Sequence, residues 1–351
     1  MADKKIKVLI VEDSKSMQEI LTNLLSTDPT VEIVGKAPDP YVARELIKKF
    51  NPDVLTLDII MPRMDGITFL KNLMRLHPLP VVMISALTEK GSSIALEALS
   101  LGAIDYLPKP KPFELDIEGS YAKNLIRIVK SASLAHVTAK KEIKTSKKAF
   151  EPIYHSDFLR KTLIVMGAST GGVEAFEYIL GQLPKTFPAI VITQHIRPEF
   201  SSAFVERLNR FSNLMVKEAS DNEEITPGKV FIAPGNSHLI VNQLGDKWFC
   251  NLKEGEPVNG HKPSIDVLFQ SAARMVNSKI ISILLTGMGE DGAQGAKDIH
   301  DAGGLVIVQD KESSVVFGMP GAAIKLNAVD YILPLNEIPN RLTSMVSNLD
   351  I

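Results

Sequence analysis

The chain has a single cysteine, Cys250, in 351 residues, so no intramolecular disulfide can form and the stapled secreted scaffolds are excluded. Charge of one sign is missing as well. Against 41 Asp and Glu stand 39 Lys and Arg, a formal net charge of −2, which argues against attraction of the whole molecule to nucleic acid or an anionic membrane. No apolar run approaches the length of a membrane span; the longest, around Ile280 to Leu285, is strand-sized. Met1-Ala2-Asp3-Lys4-Lys5 leads into a strand with no signal-peptide hydrophobic region. A cytoplasmic protein without nucleic-acid partners or membrane insertion is expected.

Hydrophobic residues make up 45% of the chain and charged ones 23%, enough to bury sizeable cores, and the length favours two domains. We place the first at residues 1–123, a linker at 124–156 and the second domain at 157–351. The linker rests on the fading of hydrophobic periodicity into Lys140-Lys141-Glu142-Ile143-Lys144 and the lysines beyond.

In the first domain, Lys7-Val8-Leu9-Ile10-Val11 reads as a buried strand ending in Glu12-Asp13, and Ser14 caps the helix that follows. Strand and helix signals alternate until five strands are counted, which predicts a parallel sheet with helices on both faces. Glu12, Asp13, Asp58, Ser85 and Lys109 each stand at or just past a strand's carboxyl end, where ligands gather in this architecture. Three converging carboxylates repel unless a cation neutralises them, and oxygen-only ligands favour Mg²⁺. A lysine and a hydroxyl beside them suit a phosphoryl group.

Taken with Met61-Pro62-Arg63-Met64-Asp65-Gly66 and Leu107-Pro108-Lys109-Pro110, this segment resembles the receiver domain of bacterial response regulators, a flavodoxin-like fold. The resemblance implies that Asp58 accepts a phosphoryl group and that Glu12, Asp13, Asp58 and the Ile60 carbonyl hold Mg²⁺. It further implies that Ser85 and Lys109 contact the phosphoryl oxygens, that Tyr106 follows the switch, and that the Lys109–Pro110 bond is cis. Receivers act by population shift, so the output belongs to the second domain.

There, strand signals at 162–166, 189–193, 229–233, 280–285 and 305–308 alternate with helical segments, predicting a doubly wound, mostly parallel α/β sheet. Ser169 lies on the strand-to-helix turn Gly167-Ala168-Ser169-Thr170-Gly171-Gly172. A G-x-S-x-G at such a turn lifts a hydroxyl clear of the sheet. It is not the G-x-G-x-x-G of dinucleotide binding, because a serine takes the second glycine's place. A serine nucleophile needs a histidine to take its proton and a carboxylate to hold that histidine. His195 and Asp291 also follow strands. His238 and His261 compete for the base, and Glu290 and Asp310 for the carboxylate.

The turn, Gln194-His195, Ala233-Pro234-Gly235 with His238, His261-Lys262-Pro263-Ser264-Ile265-Asp266, Gly287-Met288-Gly289-Glu290-Asp291-Gly292 and Gly318-Met319-Pro320 resemble the chemotaxis protein-glutamate methylesterase (CheB) family. That resemblance implies Ser169 as nucleophile, His195 as general base, Asp291 as its orienting carboxylate, the Met288 N–H as oxyanion donor and Thr170 as a support for the histidine. It implies a phosphorylation-regulated serine esterase acting on glutamate γ-methyl esters of methyl-accepting chemotaxis receptors, with deamidation of receptor glutamines. Its phosphodonor would be the chemotaxis histidine kinase, and ester hydrolysis would need no cofactor. The alternative is a response regulator with a non-enzymatic protein- or DNA-binding output domain, against which stand the near-neutral charge and the lack of a basic recognition helix.

Overall fold

A computed structural model describes residues 5–86, 89–110, 119–137, 156–275 and 278–347. The chain divides into two compact units, Met1–Glu142 and Ile143–Ile351. No described helix is long and apolar enough to cross a membrane.

The first unit runs β1 (Ile6–Val11), α1 (Lys15–Leu25), β2 (Val31–Ala37), α2 (Pro40–Phe50), β3 (Val54–Leu57) and α3 (Gly66–Leu76). It continues through β4 (Val81–Ser85), α4 (Glu89–Ser100), β5 (Asp105–Pro108) and α5 (Ser120–Ser133). The five strands are parallel, in the order β2-β1-β3-β4-β5. Val8, Leu9, Ile10, Val54 and Leu55 are fully buried, as expected of strands covered on both faces. Helix starts follow side-chain chemistry: the Ser14 hydroxyl accepts the Met17 N–H, and Asp39 Oδ1 accepts those of Tyr41 and Val42 at 2.8 and 3.1 Å. The order reverses between β1 and β3, so their carboxyl ends flank a crevice.

Two expectations change here. The Lys109–Pro110 bond is not cis; among the described residues the cis bond is Lys262–Pro263. An X-Pro amide has nearly balanced isomers, so its surroundings decide which is kept. The stretch 124–156 begins inside α5, whose buried Leu125, Ile128, Val129 and Ala132 keep it helical to Ser133. Most of the remainder, residues 138–155, lies outside the described residues.

The second unit runs α6 (Ser156–Lys161), β6 (Thr162–Ala168), α7 (Gly172–Gln182), β7 (Ala189–Gln194), α8 (Pro198–Phe211), β8 (Met215–Glu218), β9 (Glu223–Ile225) and β10 (Lys229–Ile232). After the hairpin β11 (His238–Leu244) and β12 (Lys247–Lys253) come α9 (Ile265–Ala272), β13 (Lys279–Leu284), α10 (Ala293–Asp301) and β14 (Leu305–Gln309). The final elements are α11 (Met319–Lys325), β15 (Tyr331–Leu333) and α12 (Ile338–Ser347).

A seven-stranded parallel sheet has the order β15-β14-β13-β6-β7-β10-β8. From β6 the chain moves outward to β7 and then to the β8 and β10 pair, in which the later strand lies inside, and from β13 it moves the other way through β14 to β15, so the switch point lies between β6 and β13. A separate antiparallel sheet, β11-β12-β9, stands outside the parallel α/β pattern that the sequence predicts. It buries Leu239, Val241, Trp248 and Cys250 in the same core as Phe231, Leu268 and Phe269.

Candidate active site

Three strands of the large sheet end level with one another. Gly167 pairs with Leu284 of β13, and Ala168 with Gln194 of β7. Ser169 and His195 are each the next residue after an end. The His195 N–H donates to the Ala168 carbonyl at 3.1 Å and the Ser169 N–H to the Thr286 carbonyl at 3.0 Å, so three chain segments close around the serine. Gly171 takes a φ of 81°, a left-handed turn that a side chain would strain, and the Gly172 N–H returns to the Ser169 carbonyl at 2.9 Å. The Gln194 amide also donates to that carbonyl, at 2.9 Å.

Asp291 reaches the site through a loop after β13, and its carboxylate is 1% exposed. His195 Nε2 lies 2.7 Å from Asp291 Oδ2. A carboxylate can only accept, so Nε2 carries the proton and Nδ1 keeps the lone pair. Nδ1 is buried and has no hydrogen-bond partner. Asp291 also accepts from the Ile265 N–H at 2.7 Å, the Ser264 hydroxyl at 2.8 Å, Asn259 Nδ2 at 3.0 Å and the Asp266 N–H at 3.3 Å. Burial pushes this carboxyl up, but the bond to His195, that ring's charge and the donors of Ile265 and Ser264 outweigh it and hold it well below the usual carboxylate range. Burial pushes neighbouring Asp266 up to about 6, opposed by the Gly295 N–H and reinforced by the charge of Asp291.

None of the rival residues takes the place of His195 or Asp291 in this pair. His238 Nδ1 accepts the Ser264 N–H at 3.1 Å and its Nε2 donates to the Glu256 carbonyl at 3.1 Å, so it braces the loop that holds Asp291. His261 stacks on His195. Glu290 is exposed, and Asp310 accepts from Ser313 in a turn. The peptide on either side of Gly287 is fixed by Val316, Gly318 and Met319, while the Met288 N–H has no acceptor among the described residues. The Thr170 carbonyl accepts from the Thr286 hydroxyl at 2.9 Å; its side chain makes no described hydrogen bond to His195. Asn259 and Ser264, whose side chains hold Asp291, carry no sequence signal of that role beyond the place of Ser264 in the His261-to-Asp266 motif.

The first unit gathers a second cluster at its own switch point. Glu12 and Asp58 are 1% and 3% exposed, Asp13 is exposed, and one oxygen of each lies within 4.8 Å of the others. Lys109 Nζ stands 2.9 Å from Glu12 Oε1 and 2.8 Å from Asp58 Oδ2. Burial raises the Glu12 pKa against its bond to Lys109, with the charge of Asp58 adding to the rise. Burial alone would lower Lys109, yet its bonds to Asp58 and Glu12 leave it raised. Glu12 Oε2 is buried without a well-formed hydrogen bond. Lys109 Nζ also lies 2.8 Å from that oxygen, so one ammonium now offsets the buried carboxylates, and three carboxylate oxygens within 4.8 Å of one another form a hard donor set that fits a divalent cation.

Ile60 is exposed and its carbonyl accepts no described bond. A Cβ on Gly66 would stand 2.0 Å from the Asp58 carbonyl, so this close approach requires glycine. Ser85 is buried, and its carbonyl accepts from the Lys109 N–H and from the hydroxyl of buried Tyr106, both at 3.0 Å.

Comparison with known proteins agrees with this division. Residues 8–117 match the response regulator receiver domain and residues 164–342 the CheB methylesterase. A protein-glutamate methylesterase/protein-glutamine glutaminase of Hydrogenovibrio crunogenus is 47% identical over 97% of this chain and 99% of its own. That of Pectobacterium atrosepticum is 45% identical over 98% and 97%. The crystal structure of the Thermotoga maritima CheB methylesterase catalytic domain superposes with a TM-score of 0.51 at 43% identity, covering 52% of this chain and 97% of that one. A non-enzymatic protein- or DNA-binding output domain is therefore not favoured. The chain belongs to the CheB methylesterase family, with a response regulator receiver domain ahead of the methylesterase domain.

Proposed function

We propose that this protein is a phosphorylation-regulated, cytoplasmic serine hydrolase that removes methyl groups from glutamate γ-methyl esters of chemoreceptors and deamidates receptor glutamines. The receiver, placed at residues 1–123, keeps α5 to Ser133 as its last helix, the stretch from there to residue 156 serves as the connection, and 157–351 serves as the hydrolase. The observation that carries the reading is the state of His195: Asp291 holds its Nε2 at 2.7 Å, its Nδ1 is buried and unpaired, and its backbone is tied to the residue before Ser169.

Ser169 Oγ attacks the ester carbonyl carbon as its proton passes to His195 Nδ1. The Met288 N–H receives the oxyanion, and Asp291 stabilises the imidazolium. The C–O bond then breaks, the proton goes from His195 to the departing methanol, and an acyl-serine remains. His195 takes a proton from water, hydroxide character adds to the acyl carbon, and Ser169 leaves with that proton. A glutamine amide follows the same course with ammonia as leaving group. Thr170 supports the turn beside the histidine.

In the receiver, Asp58 accepts the phosphoryl group from a chemotaxis histidine kinase, and Ser85 and Lys109 contact its oxygens. Glu12, Asp13, Asp58 and the Ile60 carbonyl would hold Mg²⁺, which neutralises the carboxylates and the transferring group.

The test is methanol release from methylated receptor membranes, with and without a small-molecule phosphodonor. S169A should reduce release by about four orders of magnitude, to background, and D58N should remove the response to the donor. S169A releasing methanol like the parent would overturn the reading.

A further inference from the structure

The segment that fastens Asp291 also touches the other side of the triad. Val258 and His261 exchange backbone hydrogen bonds, 3.0 and 2.9 Å, across Asn259 and Gly260. Both central residues have positive φ, 53° and 77°, the signature of a tight type I′ turn for which Asn-Gly is the preferred pair. The turn is pinned by Asn259, whose amide donates to Asp266 Oδ2 at 2.7 Å and to Asp291 Oδ1 at 3.0 Å. His261 leaves this turn with its ring stacked on that of His195, centroids 3.7 Å apart and planes inclined by 9°.

The bond to Asp291 restrains one edge of the His195 ring. It does not by itself stop the ring rocking about an axis through that edge, a motion that would shift the unpaired Nδ1, the nitrogen that takes the serine's proton in the proposed reaction. A flat neighbour at 3.7 Å opposes this motion on one face. We propose that His261 is a positioning residue: a ring platform, held by the Asn259-Gly260 turn, that keeps His195 in the plane where Nε2 meets Asp291 and Nδ1 serves Ser169. The inference rests on the serine-hydrolase reading. The turn binds the platform to the same carboxylate that orients the base, so acid and base are registered by one segment.

The experiment uses the full-length protein and its H261A, H261F and S169A variants, assayed for methanol release and for labelling of the serine by a fluorophosphonate probe. H261A should lower kcat about tenfold to a hundredfold, the scale of a small misplacement of a reacting group, with KM within about twofold of the parent because substrate binding is not its role. Labelling should slow in parallel. H261F keeps a flat ring without nitrogen and should restore kcat to within about threefold of the parent.

Parent-like kcat in H261A, or H261F as slow as a folded H261A, overturns the platform. Should H261A lose its cooperative unfolding transition, H261F decides alone: parent-like turnover supports the platform and loss of turnover overturns it. Failure of the underlying reading looks different, because S169A would then keep its activity and the parent would take no label.

Discussion

Asp58 and Asp291 occupy equivalent places in their units. Each is a buried carboxylate at the carboxyl side of a parallel sheet, beside a switch in strand order, and each faces a basic side chain. Their surroundings differ in how completely they are satisfied. Asp58 accepts one bond at each oxygen, from the Ile59 N–H at 2.7 Å and from Lys109 at 2.8 Å. Asp291 accepts from five donors: His195, Asn259, Ser264, Ile265 and Asp266. A group that must take up a phosphoryl and release it has to keep free acceptor capacity. A group that must hold an imidazole through every turnover gains from having none.

The sharpest way to break this contrast is D291N. An amide at position 291 would place a donor against the Ile265 N–H or the His195 ring, so the base loses its tautomer as well as its partner. Turnover should fall by about four orders of magnitude, read as kcat on methylated receptor membranes. A loss below about tenfold would mean that the saturated carboxylate is only structural.

On the receiver side, Lys109 is the one described cation bridging Glu12 and Asp58, and it competes with any metal for their charge. K109M should therefore tighten Mg²⁺ binding about tenfold, measured by calorimetric titration, while slowing phosphorylation of Asp58. Unchanged or weaker Mg²⁺ binding would show that the lysine does not set the charge of the pocket.

Acidification probes the catalytic pair from another direction. Asp266 has a folded value of about 6 against an ordinary 3.8, so the native state holds the proton more readily than the unfolded chain. Its contribution to stability is therefore absent well above about 6, grows as the pH falls through that value and levels off below 3.8. Asp291, shifted the opposite way, contributes above 3.8 and loses its contribution as the pH drops further. Between pH 7 and 5 the parent should gain about 1 kcal/mol that D266N does not gain, seen in urea midpoints of the two proteins. Parallel midpoints would show that Asp266 titrates normally.

Much of this was legible in the chain. β-branched runs such as Ile190, Val191 and Ile192 mark fully buried parallel strands, and the residues after them, Ser169 and His195 included, fall where the sheet delivers them. The antiparallel sheet was harder to see. In β12, Trp248 and Cys250 alternate with exposed or half-buried neighbours, and the Gly245-Asp246 turn precedes them, but the surrounding α/β rhythm overrides so short a signal. The fastening of Asp291 was out of reach for another reason. Its donors at 259, 264, 265 and 266 lie 25 to 32 residues away in sequence, and no local period records a contact between loops.

Ser264 gives the smallest and most diagnostic effect. Its N–H goes to His238 and its hydroxyl to Asp291 at 2.8 Å, and the same oxygen accepts the Val267 N–H at 3.4 Å as the cap of α9. S264A removes the hydroxyl and leaves the backbone contacts, so four of the five donors to Asp291 survive. Loss of the cap and of one charge-assisted bond should cost about 1 kcal/mol in unfolding free energy. If the five donors share the work, kcat should fall only about threefold. A fall as deep as that of D291N would place the orientation of the base in a single hydroxyl, and the saturation that separates Asp291 from Asp58 would lose its meaning.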